Sequence, residues 1–150
     1  MLEKFRYACS IRNDSQFKIA MKRPEASLIS SLEADFLVLV DHEIYFYDPY
    51  FNALEFIVLL KKPMENLENI NSFDFLSVDH DEPIFTYKKN DNNVWELTSI
   101  WSIEPNKAVH VSEYDLITAY NDLVDYVNEW LVNYYRISLT KLINKIKLAL

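Results

Sequence analysis

The longest regular alternation of apolar and polar positions extends from Ser112 to Arg136 and predicts an amphipathic helix. Its apolar side chains recur at steps of three and four residues and share one broad face: Leu116, Ile117, Tyr120, Leu123, Val124, Val127, Trp130, Leu131 and Tyr134. Four carboxylates lie on the opposite side of the helical wheel: Asp115, Asp122, Asp125 and Glu129. The apolar face is expected to pack into the core, which leaves the acidic face toward solvent or a partner.

The segments before this helix show strand patterns, with β-branched and aromatic residues in short runs between turn residues. A hairpin is expected where Asn-Asp-Asn-Asn at 90–93 separates two such runs. Trp95, Leu97 and Trp101 are expected to share one face of the second run. The predicted strands cover residues 4–12, 17–21 as the partner of the first, 35–40, 44–47, 73–78, 84–89, 94–101 and an edge strand at 108–111.

Two more helices follow from end signals and periodicity. Asp48-Pro49 supplies a cap and a first-turn proline, and Lys61-Lys62-Pro63 supplies a cationic last turn and a stop, so a helix is predicted over residues 49–62. Pro24 interrupts the pattern, and residues 25–32 are assigned to no element. A short basic C-terminal helix is predicted from the helical spacing of Ile137, Leu139, Leu142, Ile143, Ile146 and Leu150.

These elements predict one α+β domain over residues 1–150. It is expected to contain a mainly antiparallel sheet of about five to seven strands, two principal helices and the short C-terminal helix. Half of the residues are hydrophobic and 15% are aromatic. A chain of this composition has enough apolar surface for a core and is not expected to be disordered.

The absence of glycine excludes several kinds of site. Average usage would give roughly ten glycines in a chain of this length. Phosphate-binding loops, dinucleotide fingerprints and nucleophile elbows all need glycine where the backbone approaches a ligand or takes a positive φ. Nucleotide-dependent enzymes are therefore disfavoured, and Asn and Asp are expected to supply the left-handed positions, first of all in the run at 90–93.

The compartment is inferred from cysteine usage and hydropathy. The only cysteine, Cys9, cannot form an internal disulfide. The N-terminus lacks the apolar segment of a signal peptide, and no apolar run approaches the roughly 20 residues needed to span a bilayer. A cytoplasmic protein is therefore expected, with no membrane partner.

Charge is distributed unevenly along the chain. The net charge is −8, but residues 24–129 contain twenty-one Asp and Glu against five Lys, a net charge of −16. Residues 1–23 and 130–150 each have a net charge of +4. Such an acidic region repels nucleic acid and accelerates encounter with basic partners.

Candidate chemistry centres on three histidines and the cysteine. The histidines lie beside acids, in Asp41-His42-Glu43, in Asp79-His80-Asp81-Glu82, and as His110 near Glu113. Such residues can hold zinc, but neighbours on a strand point to opposite faces and no H-E-x-x-H motif exists. Charged turns explain the first two clusters more simply. Cys9 with His42 or His80 has no local sequence support as a nucleophile pair, so a buried, inert cysteine is favoured.

The acidic face of the long helix is the strongest candidate for a binding site. Residues 112–135 contain no Lys or Arg, although an oppositely charged residue at i+4 would stabilise the helix. A solvated helix face is the usual explanation of such a stripe, and the missing lysines keep a basic partner open as the alternative. Asp79, Asp81 and Glu82 form a secondary acidic patch. Tyr114, Tyr126 and Tyr135 lean off the apolar face and are expected as exposed interface anchors, because Tyr is enriched at interfaces.

These residues resemble a known family. The order of two strands, a helix with Leu54-Glu55 and Lys61-Lys62, then FDFLSVDHDEPIFTYKK, VWELTSIW and an acidic helix, is similar to small bacterial immunity proteins of polymorphic toxin systems, in particular the partners of wall-associated, contact-dependent toxins. The resemblance covers residues 34–136. It implies a non-enzymatic cytoplasmic protein, without a cofactor, that blocks a cognate toxin domain, commonly a basic nuclease.

Two hypotheses of other classes remain open. One is a metal-dependent hydrolase that uses the His and carboxylate clusters, and the other is a homo-oligomeric scaffold or adaptor with aromatic contact surfaces. A homodimer is also compatible with the immunity hypothesis. The basic C-terminal helix is expected to close the domain rather than bind a membrane, because the rest of the chain is acidic. Partner-binding residues are therefore predicted at Asp115, Asp122, Asp125, Tyr126, Glu129, Asp79, Asp81 and Glu82, with no catalytic or metal-binding residue assigned.

Overall fold

Two antiparallel sheets organise the computed structural model, which describes residues 2–22 and 26–149. The first sheet contains β1 (Phe5–Asn13), β2 (Glu33–Val40) and β3 (Glu43–Asn52) in the order β1-β2-β3. The second contains β4 (Ser72–Phe75), β5 (Phe85–Lys89), β6 (Trp95–Ser99) and β7 (Val109–Val111), also in chain order. Within each sheet, every strand pairs antiparallel with the next strand along the chain.

Four α-helices lie within the described part of the chain: α1 (Ser15–Ala20), α2 (Ala53–Glu65), α3 (Glu113–Tyr135) and α4 (Leu139–Ala149). Short 3₁₀ turns occupy Ala26–Ser30 and Leu67–Asn69. The α+β prediction is confirmed, with seven strands among the described residues divided between two sheets. None of the described helices is long and apolar enough to cross a bilayer.

The predicted strand at residues 17–21 is wrong, because this segment forms α1. The Asn13 side chain turns the chain after β1, since its Oδ1 accepts hydrogen bonds from the Ser15 N–H at 3.0 Å and the Ser15 hydroxyl at 2.8 Å. Phe17 is the fully buried residue of this short helix. The partner of β1 is β2 instead. Pro24, which interrupts the sequence pattern, and Glu25, the first residue of the unassigned segment, lie outside the described residues.

The ends of the second helix also differ from the prediction. Pro49 lies within β3 rather than at a helix start. β3 is an edge strand, and two of its residues, Pro49 and Tyr50, lie opposite the single residue Asp35 in an irregular register. Edge strands and bulges are where a sheet tolerates proline. At the other end, Pro63 does not stop the helix but lies inside the last turn of α2.

Positive φ angles occur at turns without glycine. Asp41 and His42, with φ of 51° and 69°, form the two-residue loop between β2 and β3. Asn93 takes a φ of 59° in the β5–β6 hairpin, which confirms the expected role of the 90–93 run, and Asn106 takes a φ of 63°. Arg136 ends α3 in the left-handed region, a role that the sequence did not reveal.

The core between the sheets is built mainly from aromatic rings. Phe56 of α2 is fully buried, and its ring centroid lies 5.4 Å from that of Tyr7 on β1, 5.5 Å from Phe36 on β2, 4.9 Å from Phe75 on β4 and 5.9 Å from Phe85 on β5. One side chain therefore packs against both sheets. Such offset and edge contacts stabilise aromatic clusters beyond their buried area.

A buried hydroxyl pair adds a polar link between the sheets. The oxygens of Tyr7 on β1 and Tyr87 on β5 are 3.0 Å apart, and both side chains are buried. Burial raises the pKa of each phenol well above the ordinary tyrosine value. The pair satisfies two hydroxyls that the core would otherwise leave without partners.

α3 begins and packs largely as predicted. The Ser112 side chain accepts a hydrogen bond from the Asp115 N–H at 3.1 Å, which caps the helix. Its inward face packs along β1 and α2, and the Tyr120 hydroxyl donates to the Ile57 carbonyl at 2.6 Å. The buried residues are Leu116, Ala119, Tyr120, Leu123, Val127 and Leu131.

Three apolar residues do not follow the predicted faces. Ile117 and Tyr134 of α3 are exposed, Tyr134 by 70%, because the sheets do not cover their parts of the helix. Trp101 lies beyond the end of β6 and is 45% exposed, so it does not share the buried face of Trp95 and Leu97.

α4 closes the domain as expected. Asn128 of α3 accepts a hydrogen bond from the Leu139 N–H at 2.8 Å, which fixes the start of α4. Its predicted apolar residues are buried, namely Ile137, Leu139, Leu142, Ile143 and Ile146. Leu150, also assigned to this face, lies outside the described residues.

The hydroxyl pair predicts a non-additive loss of stability. Tyr87→Phe leaves the Tyr7 hydroxyl without its buried partner and is expected to lower the free energy of unfolding by about 1–3 kcal/mol. The double variant Tyr7→Phe/Tyr87→Phe removes both hydroxyls, so its loss is expected to be smaller than the sum of the single losses. Urea denaturation of the four proteins measures the coupling, with exposed Tyr114→Phe as control. Additive losses would contradict the pairing.

Alkaline pH is expected to destabilise the fold. Burial raises the pKa of Tyr7, Tyr87 and Tyr120 above the ordinary value of 10.0. Above pH 10 these phenols therefore keep their protons in the folded chain and release them on unfolding. Their contribution to the free energy of unfolding is fully present below pH 10 and is lost as pH rises through the folded-state pKa values. Urea midpoints measured between pH 8 and about 11 are expected to fall less in Tyr7→Phe/Tyr87→Phe than in the original protein. Equal falls would show that other groups cause the loss.

Candidate partner-binding surfaces

The outer face of α3 presents the predicted acidic stripe. Asp122, Asp125 and Glu129 are exposed, and Asp115 is half-buried in the first turn. A carboxylate in that turn interacts favourably with the positive end of the helix dipole, so Asp115 also has a structural role. The structure therefore places all four predicted carboxylates along one side of a single helix.

These carboxylates have no basic partner within the described part of the chain. The ion pairs found there use other acids, such as Asp35 with Arg12 and Glu65 with Lys61, at 3.0 Å and 2.7 Å. None of the described Lys, Arg or His side chains lies within 4.0 Å of Asp115, Asp122, Asp125 or Glu129. The stripe can accept cationic groups from outside without breaking an ion pair among these residues.

Two of the tyrosines expected as exposed anchors are held by internal hydrogen bonds. The Tyr126 hydroxyl accepts from the Ile11 N–H at 3.0 Å, which ties α3 to β1. The Tyr135 hydroxyl donates to Asp14 Oδ2 at 2.7 Å, and its ring packs edge-on against Phe17 at 5.0 Å. Burial and the Asp14 contact raise the pKa of Tyr135 to about 12. The expected exposure is therefore wrong for these two half-buried side chains, whereas Tyr114 is 76% exposed.

A groove of about 260 Å³ lies at the C-terminal half of the stripe. Its aromatic side comes from Tyr126, Trp130 and Tyr134, which recur every four residues and so follow one line along the helix. Glu129 and Asn133 form the polar side. Two predicted partner-binding residues, Tyr126 and Glu129, thus share one concave site.

The second acidic patch lies elsewhere on the fold. Asp79, Asp81 and Glu82 are exposed in the loop between β4 and β5. This loop connects Phe75 of β4 to Phe85 of β5 and so lies at one end of the second sheet. The Trp95–Val111 pair, which precedes α3, lies at the opposite end. The structure does not bring the two acidic groups together into one patch.

Exposed apolar side chains surround the second patch. The ring of His80 packs edge-on against Trp101 at 4.8 Å, which joins the β4–β5 loop to the segment after β6. The Ile103 N–H donates to the Tyr45 carbonyl at 2.8 Å, which joins that segment to β3. We call this area the Trp101 patch; its exposed members are Ile44, Leu76, Val78, Ile100, Trp101 and Ile103. Apolar patches with a polar rim mark interaction surfaces.

Two buried polar atoms at this loop have no hydrogen-bond partner among the described residues. Glu55 in the first turn of α2 is fully buried. Its Oε2 accepts only a long contact from the Val78 N–H at 3.5 Å, and its Oε1 is unpaired. His80 Nδ1 is also unpaired. Since buried polar groups are normally paired, the base of this loop is the least satisfied part of the described core.

The histidine clusters do not assemble a metal centre in the described residues. No group of three or more His, Cys, Asp or Glu side chains there is placed to hold a metal ion. His42 lies in the exposed β2–β3 turn, and His110 pairs across strands with Glu96 at 3.4 Å. The three histidines thus lie at separate places in the fold.

Cys9 is half-buried in β1, opposite Phe36 of β2. Burial, with a smaller effect from Asp35, raises the pKa of its thiol to about 12. A thiol with this pKa is almost fully protonated near neutral pH and is a poor nucleophile. The inert cysteine expected from the sequence fits this environment.

Sequence reasoning missed both the groove and the Trp101 patch. The four-residue spacing of Tyr126, Trp130 and Tyr134 was a usable signal, but two of these residues also fit the apolar face of the helix. No comparable signal marks the Trp101 patch, because its residues come from three segments that only the fold joins.

Comparisons with known proteins give a family but no function. A family model described as "Domain of unknown function (DUF7878)" matches residues 5–133. No curated protein and no solved structure matches the chain. The family match spans β1 to the last turn of α3 and includes the acidic stripe and the Trp101 patch, but it ends one residue before Tyr134 of the groove. The chain therefore belongs to the DUF7878 family of domains of unknown function.

Proposed function

We propose that this protein is a cytoplasmic immunity protein that binds a cognate bacterial toxin domain and blocks its active site without catalysing a reaction. The observation that carries the proposal is the outer face of α3, where Asp115, Asp122, Asp125 and Glu129 lie together without a basic partner in the described residues. The sequence resemblance described above supports the same function.

The electrostatics fit a toxin that acts on nucleic acid. A nuclease needs a basic cleft because its substrate carries one phosphate charge per nucleotide. A helix with carboxylates along one face can occupy such a cleft in place of the phosphates. Complementary charge also accelerates association and suppresses wrong partners. Fast capture matters for an inhibitor that must act before the toxin reaches its substrate.

The anchoring of α3 makes the acidic face suitable for tight binding. Its inward face is fixed by buried side chains, by the Tyr120 hydrogen bond to Ile57 and by the Tyr126 hydrogen bond from Ile11. A surface held in place before binding loses little conformational entropy in the complex. The helix therefore offers its carboxylates in a fixed arrangement.

The Trp101 patch supports a second contact area for the same partner. Asp79, Asp81 and Glu82 at its rim match a basic surface, and Trp is the residue most typical of interface hot spots. The patch also favours the scaffold hypothesis as a second candidate function, since exposed apolar area promotes self-association. Light scattering of the original protein and of Trp101→Ser shows whether the patch mediates self-association. Because a homodimer is also compatible with the immunity hypothesis, a dimer that the substitution abolishes favours the scaffold only if the protein fails to bind the toxin domain. A monomer would reject the homo-oligomeric scaffold.

Charge reversal on α3 tests the proposal directly. In Asp122→Lys/Asp125→Lys, the Kd for the cognate toxin domain, to be sought in the gene upstream of this one, is expected to rise at least about tenfold, because like charges would meet across the interface. The dependence of the association rate on salt is expected to weaken as well. Stopped-flow binding and calorimetry measure both quantities, and circular dichroism checks the fold.

The matched control is Glu68→Lys/Asp91→Lys. Both residues are exposed outside the two candidate surfaces, and the net charge changes by the same amount. This variant is expected to bind nearly as well as the original protein. Equal affinities of the two double variants would reject α3 as the interface. Failure of the unaltered protein to bind the neighbouring toxin domain, or to protect cells that produce it, would reject the immunity function.

A further inference from the structure

The groove formed by Tyr126, Glu129, Trp130, Asn133 and Tyr134 combines aromatic faces with a carboxylate. We infer that it is a guanidinium-binding site that seats one arginine side chain of the basic partner. The inference rests on the proposed function, because it names the chemical group that the acidic face of α3 recognises. Its basis is the geometry of the groove and a filled site of the same kind elsewhere in the fold.

The filled site lies at the other end of α3. Lys89 Nζ is 5.3 Å from the ring centroid of Trp95 and 3.8 Å from Glu113 Oε1. The indole N–H of Trp95 also donates to Glu113 Oε1 at 3.3 Å. A cation over an aromatic face beside a carboxylate gains from both the ring quadrupole and the opposite charge. The Lys89 ammonium also donates to the Leu67 carbonyl at 2.7 Å, so a backbone oxygen, an indole and a carboxylate together hold this cation.

The groove repeats the indole and carboxylate without the cation. Glu129 and Trp130 are neighbours on the helix, and both line the groove. Among the described residues, no Lys or Arg lies over the Trp130 ring or within 4.0 Å of Glu129. The described part of the chain thus supplies aromatic rings and a carboxylate to the groove and no cation.

The aromatic side of the groove is held in place from behind. The Trp130 ring lies 5.4 Å from Tyr135, 6.2 Å from Phe17 and 5.2 Å from Tyr134, which is itself exposed. Tyr126 is fixed by its hydrogen bond from Ile11. Rings that are oriented before binding lose little entropy when a ligand stacks on them.

Arginine fits the site better than lysine. Its planar guanidinium stacks on aromatic faces, is weakly hydrated and donates in a fork to a carboxylate such as Glu129. The Asn133 side chain, which also lines the groove, offers an amide oxygen to a remaining N–H. The rest of the stripe, at Asp115, Asp122 and Asp125, would attract the basic partner, while the groove fixes the position of that partner along α3.

The test uses the full chain labelled with 5-fluorotryptophan and a nona-arginine peptide as probe. The chain has three tryptophans, and Trp→Phe variants assign their fluorine NMR signals. Trp95 is buried, and Trp101 reports on the second acidic patch. The Trp130 signal is expected to shift saturably with peptide, while the Trp95 signal stays fixed and the Trp101 signal moves less. Nona-lysine is expected to produce a weaker response at Trp130.

Two substitutions at exposed positions test the lining without endangering the core. Glu129→Gln and Tyr134→Ala are each expected to raise the Kd of nona-arginine about threefold to tenfold. Asp91→Asn removes the same charge outside the groove, and Tyr50→Ala removes an exposed tyrosine on β3, away from both candidate surfaces. Both controls are expected to change the Kd less than twofold. Circular dichroism verifies that every variant is folded.

The outcomes separate this inference from the proposed function. A silent Trp130 signal, a larger shift at Trp101, or lining variants that match their controls would overturn the groove as the arginine site. In those cases a loss of toxin binding in Asp122→Lys/Asp125→Lys would still leave the immunity function standing. Conversely, a shift at Trp130 that depends on Glu129 and Tyr134 supports the arginine site even if the neighbouring toxin domain does not bind.

Discussion

The packing of Phe56 between the two sheets is the constraint on which the rest of the structure depends. The sheets share no strand, and Phe56 contacts rings on four strands of the two sheets from a helix that follows β3 directly. The Tyr7–Tyr87 hydroxyl pair adds a directional contact to this cluster. Without glycine, the chain makes its turns with Asp, Asn, His and Arg, and the aromatic core provides the buried area that offsets the cost of these left-handed positions.

This core also explains why α3 can carry an unpaired acidic face. The helix obtains its stability from buried residues and from two tyrosine hydrogen bonds to neighbouring elements, rather than from ion pairs along its surface. Most helical stability in proteins comes from such packing. Repulsion among exposed carboxylates costs only a few tenths of a kcal/mol per pair. The outer face can therefore keep unpaired carboxylates for a partner with little loss of folding stability.

The sequence predicted most strands, the cap at Ser112 and the inward face of α3, because local periodicity and turn chemistry determine these features. It failed where tertiary context decides. Pro49 resembles a helix start but lies on an edge strand, where proline is tolerated. Tyr134 satisfies the apolar period of α3, yet no part of the sheets covers it, so it is exposed. The Trp101 patch is assembled from three distant segments, and no window of sequence contains it.

The two ends of α3 differ in one lysine, which is present beside Glu113 and has no described counterpart beside Glu129. At the start of the helix, Glu113 and Trp95 have Lys89, which the adjacent strand β5 supplies, and the cation is satisfied inside the fold. At the other end, Glu129 and Trp130 have no described cation, and the residues of α3 include neither Lys nor Arg. An internal lysine at the groove would have stabilised the helix and closed the site. The absence of such a lysine, in a fold that uses one at the other end of the same helix, is what we expect of a surface kept for a cation from another molecule.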